Sequence, residues 1–176
     1  MATAACPMCR SAHHRLGSVR PLASLRAAPG RLARALRRVP PRLAARRPDR
    51  GEWAVGEVVS HLADAEIALA FRLRKIASEP GQALAAWDQD RWAEGGRYRR
   101  TPLREARATF SALRRSNLAY VGRLRAGQRR QHGRHPEYGR PSIPQLLAQW
   151  AEHDLNHLEQ IRAAHHRLTG RRAGSP

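Results

Sequence analysis

Two cysteines, a single lysine and nine aromatic side chains are all that the 176 residues hold of these types. Two cysteines, Cys6 and Cys9, cannot make a disulfide framework, which excludes a small stapled fold. No apolar run approaches the roughly 18 residues needed to cross a bilayer, so a membrane-spanning protein is excluded too. Acids are scarce: 14 Asp and Glu face 33 Lys and Arg, a formal charge of +19. The scarcity of lysine decides how that charge is read. Lys75 stands alone beside 32 arginines, whereas lysine serves phosphate as well as arginine does in a surface built for nucleic acid. Arginine nearly everywhere, beside abundant Ala, Gly and Pro, reads as a bias of base composition. The excess is also lopsided, with 12 Arg and one acid, Asp49, in residues 1–50. Neither a recognition helix nor an aromatic–basic RNA motif accompanies it. Hydrophobic residues at 41% suffice for a core and rule out wholesale disorder. What remains is an all-α, basic, single-domain protein with the cytoplasm as its default location.

Residues 1–20 show no periodicity and are expected to be a disordered tail, as are residues 171–176; the domain is 21–170. Within the tail, Cys6-Pro-Met-Cys9 is half a thiolate zinc site, but adjacent His13 and His14 make a poor second half. The first helix is expected over Pro21–Val39, bent or split at Pro29-Gly30. The second carries Val55, Val59, Leu62, Leu69, Leu73 and Ile76 at helical spacing and closes at Pro80-Gly81. The third starts at Thr101-Pro102, carries Leu103, Ala106, Phe110, Leu113, Val121 and Leu124, and stops at Gly127. The fourth opens on the capping box Ser142-Ile-Pro-Gln145 and ends at Thr169-Gly170. Four such amphipathic helices make a four-helix bundle. Its long connections, 80–100 with Trp87, Trp92 and Tyr98 and 127–141 with His132, His135 and Tyr138, are placed to close over one end and shape a pocket.

Polar residues interrupt the apolar stripes at matching places. Asp154 and His157, flanked by His153, break the fourth; Glu66, with His61 beside it, breaks the second; Asn117 breaks the third. Burying so many polar groups is costly unless they bond one another or a metal. His153-x3-His157 puts two imidazoles one turn apart on one helix face, and His61 is the only histidine on the second helix. Three histidines with open positions suit a catalytic metal site, and Zn, Ni, Fe and Mn all accept imidazole. The alternative is a set of histidines satisfied by hydrogen bonds. Glu57, Glu66, Asp154 and Gln160 stand where they could take the other ring N–H of a ligand histidine. For Glu66 the competing reading is a buried ion pair with Arg114 or Arg115.

The stretches Glu52-Trp-Ala-Val-Gly-Glu-Val-Val-Ser-His-Leu-Ala-Asp-Ala-Glu66 and Glu152-His-Asp-Leu-Asn-His-Leu-Glu-Gln-Ile161 resemble the DinB-like superfamily of metalloenzymes. Trp87-Asp-Gln-Asp-Arg-Trp92 and His135-Pro-Glu-Tyr-Gly139 resemble its connecting segments, so the likeness covers about 22–168. It implies a four-helix bundle with a crossover connection and a divalent metal held by three histidines, here His61, His153 and His157. It also implies a metal-dependent transferase acting with a small thiol such as bacillithiol or mycothiol, or a hydrolase acting with water. Both cysteines lie in the tail, so the nucleophile is expected from a bound small molecule rather than from the bundle. The expected partners are a small-molecule substrate, a low-molecular-weight thiol and a second copy of the chain; nucleic acid is disfavoured. The competing readings are a basic nucleic-acid-associating module and a catalytically idle bundle. One departure concerns the second helix, where Ala54 stands at the position of the family's capping hydroxyl.

Overall fold

The computed structural model describes residues 17–137 and 139–170. The expectations for the Cys6/Cys9 segment, for His13 and His14, for Tyr138 and for residues 171–176 therefore lie outside the described residues. Among the described residues seven α-helices form: α1 (Pro21–Leu36), α2 (Pro41–Ala44), α3 (Val55–Ser78), α4 (Gln89–Gly95), α5 (Leu103–Arg123), α6 (Ala126–Arg129) and α7 (Ile143–Thr169). The four long ones, α1, α3, α5 and α7, build the four-helix bundle. None of the described helices is long and apolar enough to cross a membrane.

The packing order departs from a simple up-and-down bundle. The most extensive contacts join α3 to α5 and α1 to α7, while α3 also meets α7 and α1 meets α5. Early α5 packs with early α3, Ala106 and Phe110 among Val55, Val58, Val59 and Leu62. Late α5 packs with late α3, Val121 among Leu69, Leu73 and Ile76, so these two neighbours run parallel. Between α3 and α7 the order reverses: His61 meets His153 while Glu66 meets Trp150. Parallel neighbours cannot be joined by a tight turn. The connection from Glu79 to Pro102 must return the length of the bundle, and it carries α4, Trp87 and Tyr98 along its side. That requirement, rather than closure of one end, explains its length. Backbone hydrogen bonds from Leu84 to Arg134 and from Gly81 to His132 stitch it to the connection before α7.

Two apolar clusters fill the bundle. One gathers Leu69, Leu73, Ile76, Leu146 and Trp150; the other gathers Leu32, Val55, Val59, Phe110 and Ile161. The polar residues that break the stripes form the layer between them. On α5 the buried position after Phe110 is Arg114, with Leu113 only half-buried, so the expected apolar stripe gives way to a guanidinium.

Helix ends follow local chemistry with two corrections. α7 starts as expected: Ser142 Oγ accepts from the Gln145 amide and Gln145 Oε1 accepts from the Ser142 amide, and Gly170 closes it at φ 66°. α5 starts one residue later than expected, with Pro102 rather than Thr101 at the cap, and ends at Arg123, well before Gly127. Of the two forms expected for α1, bent or split, the split one is not found: α1 is one helix through Pro29. Proline lacks the N–H that would bond the carbonyl four residues back, which leaves Leu25 C=O without its helical donor. Arg114 Nη1 donates to that oxygen at 3.1 Å. A side chain from α5 thus replaces the missing amide of α1.

At the start of α3, Glu57 reaches back to the Ala54 amide at 2.8 Å, which is half of a capping box. Ala54 has no hydroxyl for the other half. Ala54 is buried, and the open Glu57 amide of the first turn is the donor that a Ser hydroxyl there would meet. Ala54→Ser is expected to raise unfolding stability by about 1 kcal/mol, measured by urea denaturation.

Candidate metal centre

α3 and α7 bring His61, His153 and His157 together in the polar layer. The three rings are buried, His61 and His153 completely so. His153 Nε2 stands 3.0 Å from His61 Nε2 and 3.1 Å from His157 Nε2. One ligand atom from each of the three lies within 4.8 Å of the others. Two nitrogens sharing one zinc at about 2.0–2.1 Å can stand no more than about 4 Å apart. The two short separations satisfy that limit.

Proton bookkeeping tests the fit independently. Gln160 Oε1 lies 2.7 Å from His157 Nδ1 and can only accept, so the ring proton is on Nδ1 and Nε2 presents a lone pair. A proton on His153 Nε2 could be directed at only one of its two neighbours, which leaves lone pairs converging. An extra proton does not resolve this, because burial disfavours charge: the His157 imidazole is pushed down to about 4. Burial, reinforced by His157, holds His61 well below the usual histidine range as well. A divalent cation is the species that three converging neutral imidazoles accommodate. The donor set fits a metal.

The surrounding side chains fix the rings. His61 lies between Trp87, stacked at 5.4 Å with the planes 13° apart, and Trp53, tilted at 5.0 Å. Trp87 comes from the long return connection and Trp53 from the segment before α3. The sequence pointed to Trp87 as a pocket-former; Trp53 carried no signal beyond standing before α3.

The four residues expected around the ligands divide. Gln160 does hold His157. Glu57 instead accepts from Arg47 at 2.6 and 2.9 Å and from the Ala54 amide, because a carboxylate at the first turn of a helix serves the open amides there. Glu66 and Asp154 both bind Arg114, which resolves the competing ion-pair reading in favour of Arg114 rather than Arg115. Arg114 Nη2 meets Glu66 Oε1 at 2.5 Å, and Nη1 meets Asp154 Oδ2 at 2.6 Å. Asn117 and Trp150 donate to the remaining positions of Glu66. Burial pushes the Glu66 carboxyl up and Arg114 opposes that. One guanidinium on α5 therefore ties α1, α3 and α7 beside the histidines.

A cleft of about 400 Å3 reaches this centre from outside, lined by Trp53, Gln89, Asn156, His157, Gln160 and Arg167 among others. Arg167 pairs with Glu52 at 2.5 Å across its mouth. No cysteine, serine or threonine is among its lining residues.

The depressed histidines predict acid sensitivity of the metal-free protein. A group held at about 4 when folded and near 6.5 when unfolded binds more protons unfolded between those values. Its contribution is present above 6.5 and is lost as pH falls toward 4, about 3 kcal/mol for His157. His135, pushed down to about 4 by burial and by Arg72, acts in the same direction. Denaturant midpoints taken between pH 7 and pH 4 should fall accordingly.

Comparison with known proteins agrees with this architecture. The chain is 28% identical over 111 residues to a protein of Oceanobacillus iheyensis named putative metal-dependent hydrolase OB0782, a match covering 63% of this chain and 64% of that one. The chain thus spans under two thirds of that relative. Its fold matches YfiT of Bacillus subtilis, described as a probable metal-dependent hydrolase with an unusual four-helix bundle topology. The TM-score is 0.77 at 20% identity, covering 89% of this chain and 90% of YfiT. It also matches TT2238, a four-helix bundle protein, with a TM-score of 0.61 at 23% identity, covering 81% of this chain and 96% of TT2238. The model of the DinB superfamily matches residues 24–161, from the first long helix through the third histidine, and the chain belongs to that superfamily.

Proposed function

We propose that the protein is a metal-dependent hydrolase in which His61, His153 and His157 hold one divalent cation. The observation that carries this reading is the convergence of three neutral imidazole nitrogens at the floor of an open cleft. A cation on uncharged ligands supplies Lewis acidity, by which water becomes a nucleophile near neutral pH. The chain's own residues supply the rest. Gln160 fixes the tautomer of His157, and the indoles of Trp53 and Trp87 shield His61 from solvent. Asn156, Gln89 and Arg167 line the cleft where a substrate would be oriented. The cleft lining holds no cysteine, serine or threonine, and a bound molecule is the attacking group this reading assigns. Water is favoured by the names of the similar proteins; a small thiol is the other candidate.

The test is elemental analysis of the purified chain, followed by assay of protein loaded with Zn, Ni, Fe or Mn. Simple esters and amides are offered with and without a small thiol and a halo-aromatic electrophile. Metal-dependent hydrolysis abolished by His157→Ala supports the proposal. Thiol conjugation without hydrolysis moves the activity to a transferase. Failure to retain any of the four metals would defeat both.

A further inference from the structure

The cleft at the histidines does not end at Trp53. On the other side of that indole lies a second lobe of about 720 Å3, and the two share Gly51, Trp53 and Asp90. Four arginines line the second lobe: Arg47, Arg97, Arg99 and Arg100. Arg47 is committed to Glu57. Arg97, Arg99 and Arg100 form no ion pair among the described residues, although the charge of Arg99 also acts on Glu57.

Surface arginines are common in this chain, so their number alone decides nothing. The backbone adds an independent observation. Arg97 has φ 50° and ψ 48°, and it is the only described non-glycine residue with positive φ. It follows the cap residue of α4, where a left-handed residue is ordinarily glycine because a Cβ is disfavoured there. A strained arginine that glycine would relieve, aimed at a cleft joined to a candidate reaction centre, suggests a guanidinium kept for function. The shape favours a small ligand. Glu57, Asp90 and Glu94 also border the lobe; Glu57 is taken by Arg47, and the other two would repel a continuous phosphate chain more than a single anionic group.

We propose that this lobe is an anion-binding subsite, in which Arg97, Arg99 and Arg100 hold a carboxylate or phosphate group of a small substrate. The rest of that substrate passes Trp53 to the histidines. This rests on the hydrolase reading only for the word substrate; the anion site stands on its own geometry. Guanidinium forks suit both anions, through paired charge-assisted hydrogen bonds.

The test titrates the full-length chain, with and without metal, against inorganic phosphate and against succinate at fixed ionic strength, by calorimetry. One saturable site per chain is expected, and a preference for either anion names the group the substrate carries. Arg97→Gly should weaken binding about tenfold or more, the loss of one charge-assisted contact, while the melting temperature stays level or rises. Arg99→Gln with Arg100→Gln should weaken it further. A charge control, Arg123→Gln, Arg125→Gln and Arg130→Gln near the other end of α5, should leave affinity unchanged.

Equal loss in the control would reduce the effect to overall charge and overturn the proposal. Binding seen only with metal and unaffected by Arg97→Gly would do the same. So would saturation by a single-stranded oligonucleotide alone, which would make the ligand a polyanion. Failure to bind metal sinks the hydrolase reading and leaves the anion titration untouched, so the two can fail separately.

Discussion

Arg114→Met is expected to destabilise the protein by about 3–5 kcal/mol, read from urea unfolding of the metal-free chain. Arg114 is 1% exposed and bonds Glu66, Asp154 and the Leu25 carbonyl, so its removal leaves two buried carboxylates without their countercharge and the Leu25 carbonyl without that donor. The penalty arises from those orphaned groups more than from the net worth of the pair. Removing the partners as well should therefore recover most of it. Arg114→Met with Glu66→Gln and Asp154→Leu is the variant to compare, since the Gln oxygen can still accept from Trp150 while Asn117 keeps the backbone carbonyl of residue 66. Pro29→Ala gives a second check. It restores an amide to the Leu25 carbonyl, worth about 1 kcal/mol where that carbonyl has no other donor. The gain should be larger with Met at 114 than in the natural chain. Equal gains in both backgrounds would mean that Arg114 does not serve that oxygen.

The second large effect concerns the histidines. His157→Ala is expected to lower metal affinity by more than the 10–100-fold typical of losing an outer hydrogen-bond partner. Gln160→Ala, which frees the His157 ring and its tautomer, should fall within that 10–100-fold range. Competition against a chromogenic chelator separates the two. Stability adds a readout that does not depend on turnover. Metal at about 100 times its dissociation constant should stabilise the natural chain by about 2.7 kcal/mol, and His157→Ala should abolish that increment. The same variant should lessen the acid sensitivity of the metal-free protein, because one of the buried rings that resist protonation is gone. A metal increment that survived in His157→Ala would place the cation elsewhere.

These expectations separate what the chain announces from what only folding decides. The four long helices were legible because each buries a stripe, and a stripe leaves a period of three and four in the sequence. Ser142-Ile-Pro-Gln145 and Gly170 were legible because capping is local chemistry. The three histidines stood out for a related reason: a polar residue in an apolar stripe must find a partner, and two of them lay one turn apart. Pro29 shows where local rules stop. By propensity it should have bent or split α1, and a guanidinium 85 positions later in the chain keeps the helix whole. Glu57 and Glu66 are a similar case. Both stood near the ligands, and which group each would bind depended on Arg47 and Arg114, whose approach no spacing encodes. The parallel course of α3 and α5 was equally silent, since amphipathicity fixes which face is buried but not against which neighbour or in which direction. The return connection it demands carries Trp87 to His61 and brings Arg97 to the cleft. The sequence by itself determined the four long helices and the capping box of α7, because those follow from contacts within a few residues. It singled out three histidines as candidate ligands because they interrupt or flank apolar stripes. Tertiary structure alone decided the topology, the arginine clamp and the second lobe, because each joins groups that meet only once the helices have packed.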